Sequence, residues 1–216
     1  MRNNIRHAEQ HPTASTLWTV GHSTRSIDEF IDILRAHRIE LLVDVRQYPR
    51  SRRLPHFNDE SLAANLSAQG IEYLHMKSLG GRRTPRPDSI NLGWRNQQFR
   101  GYADYMQTAE FEQALRELMD LASQKTTAIM CAEAVPWRCH RSLIADALLA
   151  RGWNVLDIFD AQQARAHRLA EFAQVHEGIV TYPSSAATLF SGEAGQSHSR
   201  LRSKDQPPLN TNEQAL

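Results

Sequence analysis

Two thiols, a carboxylate and an imidazole crowd into Cys131-Ala132-Glu133-Ala134-Val135-Pro136-Trp137-Arg138-Cys139-His140-Arg141, and the 216-residue chain has no other cysteine. A thiolate attacks electrophiles or binds metals, carboxylate and imidazole groups carry protons, and guanidinium groups hold anions. Such residues act together only where the backbone converges on them, and the flanking pattern predicts that it does. Thr126 to Met130 is short, apolar and β-branched at its start, which reads as a buried strand. Pro136 interrupts regular structure. From Cys139 onward apolar residues recur at Leu143, Ile144, Ala147 and Leu148 as far as Gly152, the spacing of a helix and its stop. The reactive residues therefore fall between a strand's end and a helix's start, where unpaired backbone N–H groups and the helix dipole favour negative charge.

In that loop Cys131 is the candidate nucleophile and Glu133 its partner at the reacting centre, with Asp44 and His22, each near the end of another expected strand, assisting. Each has a plainer reading. A cysteine at a strand end is commonly a small buried apolar residue. Asp44 beside Arg46 or Arg52, and Glu133 near Arg141, are equally ion pairs that hold loops in place. His22, Ser23 and Thr24 also suit the capping of the turn before Ser26. A cysteine phosphatase or sulfurtransferase is disfavoured: no Gly-rich anion cradle follows Cys131, Trp137 stands where such a site ends in Arg, and Glu133 repels a phosphate dianion. A metal centre drawn from Cys131, Cys139, His140 and His22 needs a ligand from outside the loop, because the seven residues between the cysteines fit no common zinc spacing; no metal ligands are assigned. A reversible Cys131–Cys139 disulfide is sterically allowed, although a reducing compartment argues against a structural one.

The elements that must position these groups alternate. Leu17 to Gly21 reads as a first strand ending in His22-Ser23, and Ser26 with Glu29 has capping-box spacing for a helix with Ile27, Phe30, Ile31 and Leu34 on one face. Leu41 to Val45 is apolar enough to be covered on both faces. A helix follows from Asn58 through Leu62 and Leu66 to Gly70, then a strand from Ile71 to His75, a short helix around Tyr102 to Met106 and a longer one from about Ala109 to Ser123. Past the central loop, Asn154 to Ile158 is a fifth strand, and an Ala/Arg-rich stretch near Ala161 to Val175 reads as a last helix. This predicts one α/β domain over residues 16–177, a mainly parallel sheet of about five strands with helices on both faces, between a disordered arm at 1–15 and a disordered tail at 178–216. Ligands of such sheets sit beyond the strands' carboxyl ends. Ser23, Arg46, Arg52, Gly80, Gly81, Arg100, Tyr102, Cys139, His140 and Arg141 are thus expected to share one substrate-binding rim.

Overall net charge is only +1, which argues against a general polyanion binder, but the placement of charge is uneven. Of 25 basic side chains 22 are Arg, and between Arg46 and Arg100 ten basic residues stand against four acidic ones, an excess of six. Tyr48, Phe57, Trp94 and Tyr102 are interleaved with them and suit stacking on bases, with ordinary core or loop packing the plainer reading and the preferred one for Phe57 and Tyr102. No apolar run approaches the roughly 20 residues that span a bilayer, and the start is polar, so a cytoplasmic protein with no membrane partner is expected.

Taken together, Thr19-Val20-Gly21-His22-Ser23, Asp44-Val45-Arg46 with Pro49 and Ser51-Arg52, Phe57, Leu79-Gly80-Gly81, Phe99-Arg100-Gly101-Tyr102-Ala103, and Cys131-Ala132-Glu133 with Pro136 and Cys139-His140-Arg141 resemble a bacterial and archaeal family known as domain of unknown function 488. The resemblance runs from about Leu17 to Asp157 and implies no particular reaction. The function expected from the residues themselves is hydrolysis or group transfer on an anionic nucleotide or nucleic-acid substrate held by the arginine-rich rim. A non-catalytic nucleic-acid-binding module and a thiol redox or metal-binding protein are the alternatives. Substrate, cofactor, oligomeric state and pathway are left open.

Overall fold

Residues 15–184 are described by the structure, a computed structural model. Five parallel strands form the body of the sheet: β1 (Thr16–Gly21), β2 (Leu41–Asp44), β3 (Glu72–His75), β4 (Thr127–Cys131) and β5 (Asn154–Ile158). A short sixth, β6 (Ala164–Ala166), adds antiparallel to β5, giving the order β3-β2-β4-β1-β5-β6. The α/β fold expected from the alternation is the fold observed.

Alternation along each strand sorts the two faces. Leu17, Leu41, Val43, Ile129 and Val155 point into one core, while Val20, Leu42, Ala128, Met130 and Ile158 point into the other. Helices α1 (Ile27–Ala36) and α2 (Asp59–Ser67) cover the second face with Phe30, Leu34, Leu62 and Leu66. Helices α3 (Gln97–Tyr105), α4 (Ala109–Gln124) and α5 (Arg141–Leu149) cover the first with Tyr102, Phe111, Leu115, Leu118, Leu143 and Leu148. All four residues of β2 are buried, as its unbroken apolar run requires. Ser26 caps α1 by accepting a hydrogen bond from the Glu29 N–H at 3.1 Å. Asn58 starts α2 without that bond; its side chain instead accepts from the Ser51 N–H at 2.6 Å and ties down the basic connection after β2.

Two expectations are corrected. No helix spans 161–175. Ala164–Ala166 pairs with Leu156–Ile158 instead, and a hairpin of β7 (Gln174–His176) and β8 (Ile179–Thr181) follows. Edge pairing and the burial of His167 override the helical propensity of the Ala, Gln and Arg residues there. Residues 178–184 are also ordered, contrary to the expected tail from 178. Glu177 and Gly178 both have positive φ, 49° and 79°, the condition for a tight two-residue turn, and beyond it Val180 and Tyr182 are buried. The arm at 1–15 and the rest of the tail lie, but for residue 15 and residues 178–184, outside the described residues. Among the described residues no helix is long and apolar enough to cross a membrane.

A buried polar network anchors this last segment. His167 lies 2.8 Å from an Asp157 carboxylate oxygen and 3.1 Å from one of Asp146, whose other oxygen accepts from the Tyr182 hydroxyl at 2.7 Å. Burial disfavours the imidazolium, but the hydrogen bonds to Asp146 and Asp157 outweigh it and raise the His167 pKa from 6.5 to about 9. The stabilisation is therefore complete below about pH 6.5 and disappears as pH rises through about 9. We expect His167→Gln to remove a pH-dependent component on the order of 3 kcal/mol. Urea unfolding of both proteins between pH 6 and 10 checks it, and parallel pH profiles would contradict the assignment.

Candidate functional site

Chain direction alone brings three strand ends together. β4 lies between β1 and β2, with Gly21 beside Cys131 and Asp44 beside Met130 in register. The helix after β4 packs on one face while those after β1 and β2 pack on the other, so the connections part above β4 and leave a crevice. A cleft of about 270 Å³ occupies it. Arg46, Gln47 and Tyr48 line it from the end of β2, and Gly81 and Arg82 from the connection after β3. Gln98 and Phe99 of α3 contribute one wall, and Cys131, Glu133, Arg138, Cys139 and His140 contribute the other.

The sulfur atoms and one imidazole form a compact centre at that wall. His140 Nδ1 is 3.9 Å from Cys131 Sγ and 3.7 Å from Cys139 Sγ, and all three atoms lie within 4.8 Å of one another. Its Nε2 is 3.0 Å from the Val45 carbonyl, which can only accept, so Nε2 carries a proton and Nδ1 faces the two sulfurs. Hydrogen bonding to Cys139 and then burial push the Cys131 thiol well up. The bond from Cys131 outweighs burial at Cys139 and, with His140 and Arg141 nearby, holds that thiol well below its usual range. One hydrogen bond links the two thiols, and thiolate character belongs to the linked pair. Both cysteines are free.

Close backbone approach keeps the centre compact. A Cβ on Gly21 would stand 1.9 Å from the Glu133 carbonyl oxygen, so only glycine lets the loop after β4 fold over the end of β1. A Cβ on Gly81 would stand 2.9 Å from His140 Nδ1, and Tyr102 packs against the same ring at 4.9 Å between centroids. Arg141, wholly buried, donates to the Glu133 and Ala134 carbonyls at 2.5 and 2.9 Å and ties the loop back onto α5.

Several expected site residues turn out to support the cleft rather than face it. Asp44 is fully buried and accepts from the Arg46 backbone and guanidinium and from the Tyr73 hydroxyl. His22 stacks on Phe57 at 4.1 Å, and its Nδ1 bonds the Ser23 carbonyl at 2.8 Å. Burial and the neighbouring Arg46 lower its pKa to about 4. It is therefore neutral at pH 7 and accepts at Nε2 from Arg46 Nη1, 3.3 Å away. With further bonds to Asp44 and the Phe57 carbonyl, Arg46 has one of its five N–H donors left for the cleft.

Other members of the expected rim have local partners. Tyr102 donates to the Leu79 carbonyl, and Arg100 donates twice to the Trp94 carbonyl. Ser23, at φ 52°, bonds through its N–H to the Ala132 carbonyl, and Gly80 packs tightly against Gln47. Arg52 is exposed and outside the cleft wall. In contrast Gln47, Gln98, Phe99 and Arg138 do line the cleft although the expected site omitted them, as does Arg82, one of the clustered basic residues. Adjacency to Arg46, Arg100 and Cys139 was the signal the sequence carried for Gln47, Phe99 and Arg138. A larger cavity, about 610 Å³, lies beyond the Pro136–Arg138 turn between Trp94, Trp137 and Phe159, but it holds neither sulfur, and its carboxylates Asp146 and Asp157 are engaged by His167.

A family model described as "Domain of unknown function DUF488" matches residues 26–148, and the chain belongs to that family. The match covers β2 to β4 and nearly all of α5, with the whole loop that carries both cysteines. No curated protein and no solved structure matches the chain.

Gly81 provides a test of the centre's packing. Gly81→Ala must displace the His140 ring and its bond to Val45, with an expected loss of about 1–3 kcal/mol as for other overpacked sites. Urea unfolding gives the loss and the His140 imidazole NMR signals report the displacement; an unshifted ring in a fully stable variant would refute the contact.

Proposed function

We propose that this member of the DUF488 family is an enzyme that carries out hydrolysis or group transfer on an anionic substrate of nucleotide class bound in the cleft above β4. Arg82, Arg138 and the remaining Arg46 N–H hold the anionic group, and the Cys131, Cys139 and His140 centre supplies the reacting group. Glu133, exposed in the same wall, moves the proton. Tyr48 is 63% exposed and carries Arg82 over its ring at 5.6 Å, a platform on which a base stacks. Gln47 and Gln98 add amide groups to the same lining.

The observation that carries this reading is the convergence of three guanidinium groups and a thiol–imidazole centre on one small cleft at a switch point of a parallel sheet. A polynucleotide-binding surface has less support. Arg50 is paired with Asp59 and Glu60, Arg86 with Asp88, and Arg83 and Arg100 with backbone carbonyls, so the basic excess does not form a continuous free stripe.

Calorimetric titration with nucleoside mono- and diphosphates tests the proposal. Charge-assisted bonds contribute about 1.5–3 kcal/mol each, so Arg82→Ala combined with Arg138→Ala is expected to weaken binding at least about tenfold. Arg116→Ala, on the exposed side of α4, controls for net charge. Absence of binding, or equal weakening in the control, would overturn the reading. Affinity for long DNA or RNA that exceeds nucleotide affinity and falls steeply with salt would favour the binding module instead.

A further inference from the structure

The three donor atoms at the cleft wall have the separations of a metal site. An ion of zinc size at about 2.3 Å from sulfur and about 2.0–2.1 Å from nitrogen, in tetrahedral geometry, sets its S–N edges near about 3.6 Å and its S–S edge near about 3.8 Å. The two S–N distances here are 3.9 and 3.7 Å, and no pair of donors exceeds 4.8 Å. The S–N distances need shifts of a few tenths of an ångström, and the S–S separation, which is no more than 4.8 Å, contracts by up to about 1 Å through rotation of the two cysteine side chains.

The imidazole is also prepared for the role. A metal-binding histidine normally donates its other N–H to an oxygen that fixes the tautomer and ring plane. His140 does so to the Val45 carbonyl at 3.0 Å, with Gly81 against its face and Tyr102 beside it. Cys131 is the last residue of β4, held in register beside Gly21 with its carbonyl bonded to the His22 N–H, and Cys139 closes the Pro136–Arg138 turn through its N–H to the Pro136 carbonyl. The donors therefore sit on fixed backbone, which avoids much of the ordering cost of binding.

Charge and softness narrow the class of ion. Two thiolates neutralise a divalent cation, so the complex enters this buried wall without net charge. Two sulfurs and one nitrogen suit zinc and its neighbours and do not suit magnesium or calcium, which take oxygen. Among the described residues no other group of three His, Cys, Asp or Glu donors is assembled in this way.

We propose that Cys131, Cys139 and His140 bind one zinc-class divalent ion, with the fourth coordination position open to the cleft for water or an anionic oxygen of the ligand. Three protein ligands and an open position are the arrangement of catalytic rather than structural zinc. The ion site rests on the proposed function only in taking the cleft as the place where substrate binds, and it assigns both sulfurs as ligands.

Metal analysis of the full chain, purified without chelator from zinc-supplemented medium, is expected to find about one zinc per chain, falling below about a tenth in Cys139→Ala and in His140→Ala. Cobalt(II) added to metal-free wild-type protein reports on the same site without any variant: thiolate-to-cobalt charge-transfer absorption and intense visible bands of a four-coordinate ion are expected. Wild-type protein with neither zinc nor charge-transfer absorption would overturn the proposal, as would zinc retained in both variants. Nucleotide titration separates this from the preceding reading. Arg82-dependent nucleotide binding without metal removes only the ion site, whereas zinc without nucleotide binding removes only the substrate assignment.

Discussion

A cation with no carboxylate partner organises the reactive loop. Arg141 is wholly buried, and its bonds run to the Glu133 and Ala134 carbonyls and, at 3.4 Å, to the Thr19 hydroxyl. A buried guanidinium is costly unless its donors are satisfied and its charge is balanced. The carbonyl dipoles meet the first need, and Asp157 meets the second at one remove, since Thr19 donates to it at 2.7 Å. The guanidinium fork bends the chain between β4 and α5 back on itself. Cys131 and Cys139, separated by a turn and a proline, come to face one imidazole as a result. Gly21 permits the same bend from the other side by leaving room for the Glu133 carbonyl.

The polar chain does not stop at Asp157. It continues through His167 to Asp146 and the Tyr182 hydroxyl, and from the Tyr182 N–H to Asn91 and on to Asp104 in α3. Buried networks of this kind hold well when every member is satisfied and badly when one is lost. Loop, last hairpin and α3 are therefore parts of one hydrogen-bonded unit. The hairpin lies far along the sequence from either cysteine, yet Tyr182 just beyond it bonds Asp146 of α5, the helix that follows their loop.

Hydrophobic periodicity was enough to read the sheet and most helices, because β2 and β4 are buried on both faces and α1 and α4 each carry one apolar stripe. It misread 161–175, where Ala, Gln and Arg favour a helix but pairing with β5 and the carboxylates around His167 decide otherwise. The convergence of Cys131, Cys139 and His140 was legible as a strand-to-helix loop. The crown of arginines was not. Each guanidinium has five donors and takes whatever oxygen lies within reach, and those oxygens are largely backbone carbonyls, as for Arg83 and Arg100, which no sequence pattern displays. Asp44 and His22 stand beside the right strand ends, yet the sequence does not reveal that their side chains turn inward onto Arg46.

The cleft has two unlike sides. Cys131 and the groups behind Arg46 belong to strand ends locked by the sheet, whereas Tyr48 and Arg82 project from irregular connections after β2 and β3, both exposed. Under the proposed function, substitutions in those connections change which molecule is retained while the sulfur and imidazole geometry stays as it is. Recognition and reactivity would then diverge independently, and a single scaffold of this shape would be retargeted by exchanging loop residues alone.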